Sequence, residues 1–338
     1  MMLASCASPL ARPTPVASPS TSQPPPSDSA APSPSGPPTA RLEDVATFDV
    51  SVEVAPDWPA LLDGSLWVLA PDGPAPAVVR LDPELGAEQA RIALPGGECE
   101  GIAAGFDSIW ACTRDGMARI DPATNAIVAS VTFQTPVLYG RPAVSEDAVW
   151  SLSGEVVASA VVRIDPASNA VTATYPLGHT VTKLAYGFGY LWATATRDGL
   201  LLRIDPAGGE VTTAASDLVD PFVVATGAGG VWVGLQGRGL EEDPEPSVPD
   251  LFRFDPSTGA GDFQDYGLRS ESVNDIYVTD DAAWVVTAVD SFLMRLDPEN
   301  AAIEWIVTSD RGSGAIVVSA DTLWLTIWRA NAVIRIDL

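Results

Sequence analysis

Residues 100–133 read EGIAAGFDSIWACTRDGMARIDPATNAIVASVTF, and the same skeleton recurs along most of the chain. It runs from a small-residue strand through a turn to a Trp-bearing strand, then a loop, an Arg-Ile-Asp-Pro turn and a last strand. Gly101–Ala104 carries small residues where strands would crowd, and Gly105-Phe106-Asp107 reads as a tight turn. Ser108–Thr113 presents Trp110 as its large apolar side chain, and Met117–Ile120 follows as a third strand. In Asp121-Pro122-Ala123-Thr124-Asn125, Pro presets φ while Asp and Asn bond the local backbone, which makes a turn. Ile127–Phe133 alternates in polarity and predicts an outer strand.

The Trp recurs at Trp67, Trp110, Trp150, Trp192, Trp232, Trp284 and Trp324. The Arg-x-Asp marker recurs at Arg80, Arg119, Arg163, Arg203, Arg253, Arg295 and Arg335. A period of about 40 residues is that of a four-stranded propeller blade. Helical solenoids of similar period need long 3.6-periodic runs. These segments are short, rich in Val, Ile, Thr and Trp, and bounded by Gly, Asp, Asn and Pro. The prediction is an all-β chain: a seven-bladed β-propeller of four-stranded blades. The last unit stops at Arg335-Ile336-Asp337-Leu338 without a fourth strand. Residues 45–54, VATFDVSVEV, alternate like that missing strand. They are expected to pair with the C-terminal strand and close the ring, removing an open sheet edge.

Acidic residues outnumber basic ones 44 to 18, for a net charge of −26. That argues against nucleic acid and anionic membrane surfaces as partners. No apolar run approaches the roughly 18 residues of a membrane helix. Leu3-Ala4-Ser5-Cys6 matches the lipobox of bacterial lipoproteins, whose Cys is acylated after cleavage. Residues 7–41 form a stalk rich in Pro, Ser and Ala that cannot bury a core and is expected to be disordered. The domain reading is therefore 1–6 signal remnant, 7–41 stalk and 42–338 propeller. Only Met1 and Met2 precede the box, whereas a signal peptide carries a charged segment and an apolar run. Two locations stay open. One is a lipid-anchored protein outside the cytoplasm, read from an upstream start; the other is a cytoplasmic protein with a disordered N-terminus. Cys99 and Cys112 flank the hairpin around Phe106 as cross-strand neighbours. They read either as a disulfide, as expected outside the cytoplasm, or as two buried thiols.

Propeller ligands usually bind where loops and inner-strand ends converge on the central channel. Residues leading into the inner strands are Asp57, Glu98, Glu100, Arg141, Lys183, Asp220, Asn274 and Asp275. Loops joining second to third strands supply Arg114, Arg197, Trp328, Arg329 and the long insert 234–250 with Glu241 and Glu242. Per-repeat insertions often mark a binding face. Converging carboxylates and Asn could hold Ca²⁺ or Mg²⁺ through oxygen. No ligand motif of fixed spacing is present, so no cofactor is expected. His179 has a side chain suited to general-base work but sits alone in a loop, and the regular Arg-x-Asp residues suit turn and blade packing.

Residues 56–338 resemble bacterial propellers of the YVTN-repeat and streptogramin-lyase-like group. The resemblance rests on Gly-x-x-Ser-Ile-Trp at Gly105–Trp110 and on Arg-Ile-Asp-Pro-x-(Thr/Ser)-Asn at Arg119–Asn125 and Arg163–Asn169. It implies the propeller fold. Lyase members open cyclic antibiotics with a His and Glu constellation and Mg²⁺. This chain has one His and no matching arrangement, so no catalytic residue carries over. The expectation is a monomeric, non-enzymatic binding or scaffold module for a protein, peptide or glycan. A metal-assisted lyase or lactonase at the channel is the alternative.

Overall fold

The structure, a computed structural model, describes residues 36–52, 55–71, 76–135, 140–154, 160–236, 249–268, 273–287, 293–312 and 314–338. Side chains of Ser51, Glu98, Cys99 and Glu100 lie outside that description, as do Cys6 and most of the stalk. Blades one to six span 57–93, 98–132, 143–176, 183–215, 221–264 and 273–308, each with four consecutive antiparallel strands. Blade seven takes its inner three strands from Ile316–Val318, Thr322–Ile327 and Ala332–Asp337. Its outer strand is Ala46–Ser51, antiparallel to Ala332–Asp337, so the N-terminal segment closes the ring as the alternation predicts. Inner strands of neighbouring blades lie against one another around the whole circle.

The repeat works through one cross-strand pair. In every blade the periodic Trp lies directly opposite the periodic Arg, from Trp67 against Arg80 to Trp324 against Arg335. The Trp is buried between blades, and the guanidinium caps its ring at 5.1 Å for Arg80 and Arg119, and at 5.2 Å for Arg253. Arg203 differs: it stacks on Tyr190 at 4.7 Å. In four blades the Arg also reaches forward to the next blade. Arg80 donates to Pro122 O (2.7 Å) and Asn125 Oδ1, and Arg119 to Pro166 O (2.6 Å) and Asn169 Oδ1. Arg253 donates to Glu299 O and Arg335 to Pro83 O. The acceptors sit in the turns that the marker Asp organises: Asp121 Oδ1 accepts the Ala123 N–H and Asp165 Oδ1 the Ala167 N–H. Among the described residues Arg163 bonds within its own blade, to Thr172 and Asp147, and Tyr175 makes the forward bond there, to Pro206 O.

The N-terminal boundary needs one correction. Thr39–Arg41, read from composition as stalk, forms a fifth strand parallel to Ile303–Thr308 of blade six. One helical turn, Leu42–Val45, then buries Leu42 beside Trp284 and Val307 and leads into the closing strand. Backbone pairing needs no apolar side chain, which is why a Pro- and Ser-rich lead-in gave no sign of it. No helix among the described residues is long and apolar enough to cross a membrane.

Two outcomes test this architecture. Deleting 42–54 is expected to cause aggregation or loss of folding, checked by solubility and melting; a soluble, cooperatively melting deletion would refute closure. Arg119→Ala should cost about 1–3 kcal/mol, since it removes charge-assisted bonds to the next blade. Arg163→Ala should cost less in the same denaturant titration, and equal losses would refute the forward latch.

Candidate functional site

Inner strands of all seven blades line a central channel of about 430 Å³. Part of its wall is small and apolar, with Ala103, Ala104, Ala185, Ala225 and Val144 among the lining residues, and Tyr186, Thr226 and Tyr277 line it towards the far ends of their strands. Crowded strands near an axis favour the small side chains. A polar cluster closes the end where inner strands begin, which is also where second and third strands connect.

Trp58 is the centre of that cluster. It comes from blade one, and its ring has the Lys183 ammonium of blade four at 4.0 Å and the Arg141 guanidinium of blade three at 5.9 Å. Phe222 of blade five lies 5.1 Å from the same ammonium. Cation–π contacts in a desolvated site are worth roughly 2 kcal/mol. Trp58 is 5% exposed and sits at φ +39°, in the left-handed region that a bulky residue rarely adopts. Its backbone N–H donates to Asp57 Oδ1 at 2.9 Å. Among the described residues its indole Nε1 is the one buried side-chain nitrogen or oxygen without a hydrogen-bond partner. Such a group costs about 1–3 kcal/mol.

Asp275, from blade six, is 1% exposed. Its oxygens accept the N–H of Ile276 and, across to blade seven, of Ile316, each at 3.0 Å. Burial pushes its carboxyl above the usual range, against the opposing pull of Arg141, Lys183 and the two N–H groups. Arg141 stands 4.0 Å from this carboxylate and, among the described residues, makes one hydrogen bond, a 3.4 Å contact to Pro59 O. Its backbone is packed onto Gly101 at φ +147°, where any Cβ would meet the Arg141 Cα at 2.5 Å. That close approach seats the guanidinium at the channel end.

Of the residues singled out from sequence, Arg141, Lys183 and Asp275 come together here from three blades. Asn274 does not join them: its side-chain amide donates to Gly314 O at 2.6 Å and ties blade six to blade seven. Asp220 is a turn residue at φ +44° whose carbonyl accepts the Gln236 N–H, and it does not line the channel. Trp328 and Arg329 stack on each other at 5.5 Å in a turn on the same end of the ring, with Trp328 40% exposed. Glu98, Glu100, Glu241 and Glu242 fall outside the described side chains. Asp250, the last acid of the insert, is buried and accepts the Tyr266 N–H at 2.7 Å, so it anchors the loop instead of facing a ligand. His179 pairs with Asp198 at 2.7 Å. Among the described residues no group of three or more His, Cys, Asp or Glu could hold a metal ion.

Sequence reasoning missed Trp58. A signal existed. Ten Trp occur and seven follow the period, which leaves Trp58, Trp305 and Trp328 unexplained by blade packing. The cysteine strands are neighbours as read: Glu98 pairs with Thr113, the register then shifts before Ile102, and Cys112 is fully buried.

A sequence family described as a repeat of unknown function, DUF6923, matches residues 159–238. No curated protein matches. Solved structures of similar shape include virginiamycin B lyase from Staphylococcus aureus, with TM-score 0.69 and 15% identity over 86% of this chain and 98% of that one. Kuenenia stuttgartiensis hydrazine synthase gives TM-score 0.72 and 11% identity over 86% and 97%. The Pan2 WD40 domain of Neurospora crassa gives 0.66 and 10% over 86% and 94%. At such identities the likeness is one of fold: the chain is a seven-bladed β-propeller that shares its architecture with virginiamycin B lyase.

Proposed function

We propose that this chain is a non-enzymatic binding propeller held outside the cytoplasmic membrane by a lipid on Cys6. Its loop-rich end engages a protein, peptide or glycan partner. The observation that carries this reading is the Trp328–Arg329 stack, a large aromatic left 40% exposed under a guanidinium on that end. Trp and Arg dominate interface hot spots because they combine broad apolar area with directed hydrogen bonds. In sequence, the long insert follows Gln236 and joins the second and third strands of blade five. The proposal includes a Cys99–Cys112 disulfide, supported by the antiparallel pairing of the two strands that carry them, with Glu98 opposite Thr113.

Cross-linked capture of an envelope partner is expected to fall about tenfold or more with Trp328→Ala. It should also fall when residues 237–248 are replaced by a short Gly-Ser turn, with the melting curve unchanged in both variants. Undiminished capture by both would sink the contact assignment. Location is tested by intact mass of protein expressed from an extended upstream start, with and without reduction and alkylation. An acyl adduct on Cys6 and a protected cysteine pair are expected. An unmodified N-terminus with three alkylatable thiols would overturn both parts.

A further inference from the structure

We propose that the channel end at Trp58 is a receptor for the carboxylate of a small organic acid whose apolar body lies along the channel. Three features meet there. The buried Trp58 indole N–H has no acceptor among the described residues. Arg141 carries five N–H donors and, among the described residues, spends one, on a 3.4 Å bond to Pro59 O. The Lys183 ammonium adds positive charge 4.0 Å from the same ring. A carboxylate placed among them accepts from the indole and the guanidinium fork together, a geometry that Arg favours.

The neighbouring acids do not occupy that role. Asp275 commits one oxygen to Ile276 N–H and the other to Ile316 N–H, and its nearest approach to Arg141 is 4.0 Å. Asp57 accepts from the Trp58 backbone, not from its indole. These two acids offset Arg141 and Lys183 in charge, so recognition rests on the Trp58 indole and Arg141 guanidinium donors and not on a net positive field. The rest of the channel selects the ligand's body. Ala60, Ala104, Val144 and Ala185 offer no hydrogen bond from their side chains, the Thr226 hydroxyl already donates to Tyr186 O and the Tyr186 hydroxyl to Glu146, and the volume of about 430 Å³ falls within the range of small-molecule sites. An inorganic phosphate would leave oxygens unpaired and the wall uncovered. Trp58 packs in a hydrophobic core cluster, and its strained backbone fits a residue also held for binding, since strain of this kind collects at ligand sites.

The site is distinct from the exposed Trp328–Arg329 rim, so its failure leaves partner capture untouched, and the reverse. The test is calorimetric titration of the full chain with phenylacetate, hexanoate, hexylamine and inorganic phosphate. Phenylacetate or hexanoate is expected to bind, with hexylamine and phosphate showing none or far weaker binding. Trp58→Phe keeps the ring and removes the donor, and should lower affinity about tenfold. Arg141→Gln should lower it further, with Trp328→Ala having no effect. Absence of carboxylate binding to the wild-type chain overturns the proposal without recourse to variants. Equal binding of phosphate, or unchanged affinity in a folded Trp58→Phe protein, overturns it as well.

Discussion

Cohesion between blades rests on one cross-strand pair, the Trp of the second strand opposite the Arg of the third. The indole supplies the apolar bulk that fills the wedge between sheets. The guanidinium covers its polar-facing side and, in four blades, bonds a turn carbonyl of the next blade. Neither half suffices alone. A bare Trp edge would leave apolar surface in water, and an Arg without the ring would hold its charge on a floppy stem. The marker Asp completes the unit by holding the receiving turn in shape, so one blade's Arg finds carbonyls already aimed at it.

The seam shows what happens where that exchange is interrupted. Arg335 of blade seven still reaches Pro83 of blade one, so this joint resembles the others. Between blades six and seven no such turn is present among the described residues, because the outer strand of blade seven comes from the N-terminal segment. Arg295 turns instead to Glu304 and Asp281 of its own blade. A cleft of about 1060 Å³ opens there, walled by Trp284 and Trp305. Other contacts hold the seam: Arg311 pairs with Asp49 of the closing strand, Leu42 plugs between the blades, and Thr39–Arg41 extends the sheet of blade six.

At the axis the demands reverse. Crowding selects Ala and Val along the inner strands, and those residues offer no chemistry. Tyr186, Thr226 and Tyr277 lie towards the far ends of their strands, while the charged groups of the lining enter where the strands begin. There Asp275 is held by two backbone N–H groups from different blades, and Trp58 accepts an unfavourable φ and an unsatisfied N–H. Packing alone gives no reason for either feature of Trp58. The surrounding ring tolerates them because its stability is set elsewhere, at the blade interfaces.

Period, polarity alternation and turn chemistry are local properties, so they were legible in the chain. They determined seven four-stranded units, the buried Trp series, the turns at each Asp-Pro and a closing strand within 45–54, which the structure sets at Ala46–Ser51. They also singled out Arg141, Lys183 and Asp275 as residues leading into inner strands. What they lacked was distance across the ring. That Trp58 meets Lys183 and Arg141, from blades one, four and three, depends on how far each strand tilts into the axis. So does the loss of Asn274 and Asp220 to backbone ties. Thr39–Arg41 joined the fold through main-chain bonds that no side-chain pattern announces. The repeat specified which residues start each inner strand; only closure of the circle decided which of them touch.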